Sequence, residues 1–204
     1  MSRQPTLNSI RVKMGNLIFK ILLFTSLAFF FSACKEENLK TAIKQYKDRD
    51  FKNALFNFEK ACLQGQIYAC KMTASMYLHA KGTEASKAKS LKALEYACQW
   101  GDTLSCKITY KTYKALSLHQ IANQMLQYGC QGGDSTLCVQ LAINAYKNND
   151  IKASLELANK ACYGGNLQGC NLYLVLIEKH QKDPQKIKLI EKQIQKLNSK
   201  NQSS

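Results

Sequence analysis

Apolar residues along most of this chain recur at the spacing of one face of an α-helix. Leu55, Phe58 and Cys62 share such a face, as do Leu91, Leu94 and Cys98, and again Leu155, Ala158 and Cys162. The alternation that marks a half-buried strand is absent, and proline occurs only at Pro5 and Pro184. From Glu36 onward the pattern therefore predicts helix after helix, with the apolar faces packed together as an inter-helix core. Start and stop signals divide the run into five pairs. The first spans Asn38 to Leu63, with Asp50 capping its second helix. The second spans Gln66 to Trp100 and turns at Lys81-Gly82-Thr83. The third spans Asp102 to Gln131 and turns near Leu116-Ser117. The fourth spans Asp134 to Tyr163 with Asp150 as N-cap. The fifth spans Asn166 to Leu197, where Asp183-Pro184 supplies an N-cap and a first-turn proline.

The pairs meet at a ten-residue phrase that occurs four times: ACLQGQIYAC (61–70), ACQWGDTLSC (97–106), GCQGGDSTLC (129–138) and ACYGGNLQGC (161–170). Successive copies are offset by 36, 32 and 32 residues, the period of stacked helix-pair arrays. Each copy carries two cysteines eight positions apart with glycine between them. Eight residues of unbroken helix climb about 12 Å, whereas disulfide-linked Cα atoms lie within about 7 Å. A bridge across the phrase thus requires the chain to turn back, and glycine is where a helix can end in the left-handed conformation. Fourfold repetition of one spacing favours local pairing: Cys62 with Cys70, Cys98 with Cys106, Cys130 with Cys138, Cys162 with Cys170. Two other uses of the thiols stand beside it. Zinc favours gaps of two to four residues and supporting histidines, but His79, His119 and His180 share no spacing with the cysteines. Reduced cysteines can also pack as small hydrophobes. Alanine or glycine before each first cysteine (Ala61, Ala97, Gly129, Ala161) lets helices approach closely at the corner.

The N-terminal stretch bears on the compartment. Arg3, Arg11, Lys13 and Lys20 lead into the apolar run ILLFTSLAFFF (21–31), followed by Ser32-Ala33-Cys34. The run is too short to span a bilayer and suits a secretory signal. Small residues directly before a cysteine resemble the lipobox of bacterial lipoproteins, which implies cleavage after residue 33 and a lipid on Cys34. Met14 is an alternative start, and an uncleaved anchor an alternative fate. The expected organisation is a signal over 1–33, an anchored linker over 34–37, a repeat domain over 38–197 and a flexible tail over 198–204. Export to the bacterial cell envelope, facing periplasm or exterior, or secretion, matches the cysteine usage, since disulfides persist there. It also accounts for the odd ninth cysteine.

Four of the 29 basic residues and none of the 14 acidic ones precede Cys34, which takes the formal charge from +15 to +11 for the remainder. So basic a chain favours anionic partners and surfaces, unless its lysines merely solvate helix faces. No aromatic–basic platform of the kind that stacks bases is evident, so no nucleic-acid partner is expected. Ser86-Lys87-Ala88-Lys89 fits the S-x-x-K spacing of a serine nucleophile and its base, but S-D-N and K-T-G do not occur, nor does H-E-x-x-H. No catalytic residue, cofactor or metal is expected from these patterns.

The phrase AC-x-x-G-x-x-x-x-C, followed by a helix carrying Ala74 and Tyr77 or Tyr110 and Tyr113, is similar to the Sel-one-like repeat. It most resembles the cysteine-rich, disulfide-stapled branch first described in Helicobacter, with C-x-x-L-G-x-x-Y represented by Cys70, Thr73, Ala74 and Tyr77. The resemblance covers residues 38 to 180, and the shorter copies are closer to tetratricopeptide repeats. It implies an all-α, right-handed superhelix of antiparallel helix pairs, with the first helix of each pair lining a concave surface. Relatives act mainly as interaction scaffolds, so it implies a protein or peptide partner, acidic given the charge, with cell-wall fragments as a further class and the membrane reached through Cys34. Some members of that branch are described as binding penicillin and weakly hydrolysing β-lactams, an alternative activity. On this geometry the groove is lined by Lys71, Ser75, Lys107, Lys111, Val139, Ile143, Asn171 and Val175. The lysines would form a cationic end, and Val139, Ile143 and Val175 an apolar floor. Helix 184–197 is expected to cap the open end of the array, or else to dock into a partner.

Overall fold

The computed structural model describes residues 36–202; the expected signal and Cys34 lie outside them. Ten helices fill this span and no strand occurs among the described residues. They are α1 (36–47), α2 (Phe51–Leu63), α3 (Ile67–Leu78), α4 (Lys87–Gln99), α5 (Thr103–Ala115), α6 (His119–Gln131), α7 (Ser135–Lys147), α8 (Ile151–Tyr163), α9 (Leu167–His180) and α10 (Pro184–Gln202). Each helix packs on the next, and the short connections make neighbours antiparallel. Second helices also touch across repeats (α2 with α4, α4 with α6), as do the first helices α7 and α9. The result is an α/α solenoid whose core lies between consecutive pairs. Phe58, Met76, Met125, Leu126, Leu176 and Ile177 are fully buried in it.

All four predicted disulfides are present, with Cα–Cα distances of 4.5, 4.6, 4.6 and 4.2 Å. The corner glycines Gly65, Gly101, Gly133 and Gly165 have φ between +82° and +99°. At the first corner the Gly65 amide donates to Cys62 O at 2.9 Å and the Gln66 amide to Ala61 O at 3.0 Å, closing the helix end. Close approach before the first cysteine is equally plain: a Cβ on Gly129 would stand 2.1 Å from Leu137 Cδ1.

The expected caps Asp50, Asp150 and Asp183 are in place, and others join them. Asp50, Asp102, Asp134, Asp150 and Asn166 each accept an amide of the following helix, and Asp183 accepts from Gln185 and Lys186. The second pair turns at Gly82 (φ +74°) and the third at Ser117, where the sequence places them. In the first, third, fourth and fifth pairs the left-handed residue is not glycine but Arg49, Ser117, Asn149 and Lys182 (φ +52° to +62°). One detail differs from the sequence reading. Helix α10 runs on to Gln202 rather than ending at Leu197, because its first turns dock Ile187, Ile190 and Ile194 against α9 while no breaker follows.

The two near-copies 46–62 and 146–162 share their tyrosine for a tertiary reason. Tyr46 Oη accepts from Lys81 Nζ, and Tyr146 Oη accepts from Lys179 Nζ at 2.8 Å. Each lysine comes from just past, or the last turn of, the next repeat's first helix, so the tyrosine ties adjacent repeats together.

Candidate functional site

On the first helices α3, α5 and α9, residues one and five positions beyond the second cysteine lie one turn apart on the same outward side. On α5 this gives Lys107 and Lys111, and Lys114 continues the same stripe one turn later. Together with Tyr110 they wall an open cleft of about 740 Å³, completed across it by Thr136, Leu137 and Gln140 of α7. No acidic side chain lines the cleft itself. Lys114 Nζ lies 5.6 Å from the centre of the Tyr110 ring, a cation–π contact. Lys107 forms an ion pair with Asp134, the N-cap of α7, at one end of the cleft. Lys111 has no acidic partner among the described residues.

Of the eight groove residues expected from sequence, Lys107 and Lys111 are brought together here. Lys71 is one repeat away and pairs with Asp102, the N-cap of α5, at 3.6 Å. Burial pushes the Asp102 carboxyl up, but hydrogen bonds from the Ser105 hydroxyl and amide and the Lys71 charge outweigh it and hold the group below its ordinary value. Lys71 and Lys107 are therefore engaged between repeats before any ligand arrives. Ser75, Asn171 and Val175 are exposed on their helices. Val139 is not available to a groove: it is 2% exposed and belongs to the core, and Ile143 packs against the same cluster. An apolar floor at Val139 is thus corrected, because α7 buries that position in the core shared with its neighbouring helices. Sequence reasoning missed Lys114 and Tyr110, although Lys107, Lys111 and Lys114 follow an i, i+4, i+7 pattern visible in the chain.

Ser86, the head of the S-x-x-K match, is the N-cap of α4. Its Oγ accepts from the Lys89 amide at 3.3 Å. The Lys89 ammonium stands instead over the Tyr77 ring, 5.1 Å from its centre.

No protein-family model and no curated protein matches this sequence. Solved structures do resemble the fold. A protective antigen of uropathogenic Escherichia coli, c5321, which displays an SLR fold, superposes with a TM-score of 0.50 and 17% identity over 79% of this chain. This chain spans 38% of that antigen's length. A Sel1 repeat protein from Oxalobacter formigenes gives a TM-score of 0.45 with 18% identity, covering 91% of this chain and 84% of that one. MamA gives 0.41 with 10% identity, covering 83% and 94%. The likeness to the antigen is one of fold alone: antiparallel helix pairs stacked into a solenoid.

Proposed function

We propose that this chain is an exported, lipid-anchored scaffold that binds an extended acidic segment of a partner protein along its first-helix face. The observation that carries this reading is the α5–α7 cleft, where Lys107, Lys111, Lys114 and Tyr110 converge and no carboxylate lines the wall. Its length of open wall suits a strand or coil of peptide. Lys111 and Lys114 supply charge for side-chain carboxylates, and Tyr110 an aromatic surface. The four staples support the same role, since a rigid curved face lowers the ordering demanded on binding. Sel1-like solenoids with exposed faces of this kind are suited to holding partners rather than to transforming small substrates.

The test is fluorescence anisotropy with labelled peptides rich in glutamate and, as control, in lysine. Binding of the acidic peptide should weaken at least about tenfold in a Lys111→Glu, Lys114→Glu double variant, and fall with salt. Equal affinity for both peptides would sink the reading. Intact-mass analysis of membrane fractions tests the anchor separately: the expected species begins at Cys34 and carries lipid.

A further inference from the structure

A second cleft, of about 450 Å³, opens on the other face of the solenoid, between the second helices α2 and α4 over α3. The helix polarities give it two unlike ends. Because α3 runs antiparallel to both neighbours, its C-terminal half brings Tyr77 beside Glu59 and Lys89. Its N-terminal half faces Leu63, the Cys62–Cys70 staple and Tyr96. Thr73 and Ala93 line the middle.

Two independent observations mark this cleft as more than a packing gap. The second helices α2, α4, α6 and α8 align without insertion, and Ala93 corresponds to Asn57 in α2, Met125 in α6 and Leu157 in α8. Met125 is fully buried and fills the equivalent space one repeat later. The void therefore exists because one position is small. Thr73, only 4% exposed, has an Oγ1 with no hydrogen-bond partner. Its counterpart Thr109 donates to the Ser105 and Cys106 carbonyls at 2.8 and 3.2 Å. Buried hydroxyls rarely go unpartnered in folded proteins, so an orphan lining a void points to a missing occupant.

The polar groups select its chemistry. Glu59 is already engaged by the Tyr77 hydroxyl, and Lys92 by Glu95 at 2.9 Å. Lys89 has no acidic partner among the described residues and contacts only the Tyr77 ring. We propose that this cleft is a binding site for a small amphiphilic carboxylate, with its apolar body against Leu63, Ala93 and Tyr96 and its carboxylate between Lys89 and the Thr73 hydroxyl. The site is separate from the α5–α7 cleft and stands or falls apart from it.

Isothermal titration of the full disulfide-bonded chain with octanoate, octanol and octylamine tests the assignment. Octanoate should saturate one site and bind more tightly than either analogue. Ala93→Met, which copies the residue at the same place in α6, should weaken octanoate at least about tenfold without lowering the thermal midpoint. Lys89→Gln and Thr73→Val should each weaken it about threefold or more. Should Ala93→Met fail to fold, Lys89→Gln, on the exposed side of α4, decides the question alone. No octanoate binding to the parent chain, unchanged binding in Ala93→Met or Lys89→Gln, or tighter binding of octylamine would overturn the proposal. Loss of acidic-peptide binding in the Lys111 and Lys114 variant leaves octanoate binding intact if the two clefts are distinct.

Discussion

The Lys107 ammonium of α5 reaches the Asp134 carboxylate at the head of α7. The other oxygen of that carboxylate accepts from the Thr136 and Leu137 amides at 3.0 and 3.1 Å. One side chain thus caps its own helix and ties it to the previous repeat. Lys71 and Asp102 repeat the arrangement one repeat earlier. At the next step Val139 and Asn166 replace the charges, and Asn166 instead reaches Thr136 at 3.5 Å while still capping α9.

These two roles separate by mutation. Asp134→Asn keeps a capping oxygen and loses the charge, so it should stay within about 1 kcal/mol of the parent. Asp134→Ala removes the cap as well and should fall a further 0.5–2 kcal/mol or so. Urea denaturation of both variants checks the order.

Each staple closes a nine-residue loop. Replacing both Cys98 and Cys106 with serine should cost about 2.5 kcal/mol on the chain-entropy relation. Proteolytic mapping of the oxidised chain should return the four local pairs and no bond between corners.

Left-handed positions give a sharper contrast. Gly82 has φ +74°, and a Cβ there would lie 2.3 Å from the Phe51 carbonyl oxygen. Gly82→Ala must displace backbone and should cost more than about 2 kcal/mol. Gly133 has φ +96° with open space around its Cα, so Gly133→Ala should cost about 1 kcal/mol from conformation alone. Conversely Ser117, with φ +59°, should gain about 0.5–1 kcal/mol as glycine. Thermal melts of the three variants rank them.

Alkaline pH acts on the tyrosine–glutamate pairs between repeats. Tyr77 donates to Glu59, and burial, that hydrogen bond and the nearby charge push its hydroxyl up to about 12. Tyr113 donates to Glu95 at 2.8 Å and is raised for the same reasons. A raised folded-state value means the contribution is complete below about 10, the unfolded value, and is lost as pH climbs toward 12. The parent chain should therefore lose more stability than Tyr77→Phe between those values, measured by denaturant titration at fixed temperature.

Helix by helix, much of this architecture was legible from residues alone. Asp50, Asp150 and Asp183 announced their helices, and the cysteine phrases announced the corners, because caps and staples act within eight residues. The turns at Arg49 and Asn149 were harder, since neither carries the glycine that usually signals a left-handed residue. At the candidate site the lysine stripe on α5 was partly visible, but the engagement of Lys107 by Asp134, 27 residues away, was not.

Sequence alone determined what is local: the helical period, the capped starts, and the glycine corners across which paired cysteines can meet. Tertiary structure decided what depends on one repeat lying against the next. It chose which lysines are neutralised, turned Val139 into the core, and left a void beside Ala93 with the Thr73 hydroxyl facing no partner. Helical periodicity gives the direction of a side chain on its own helix. What that side chain meets is set by the offset between helices, a sum over all packed contacts that no single stretch of residues encodes.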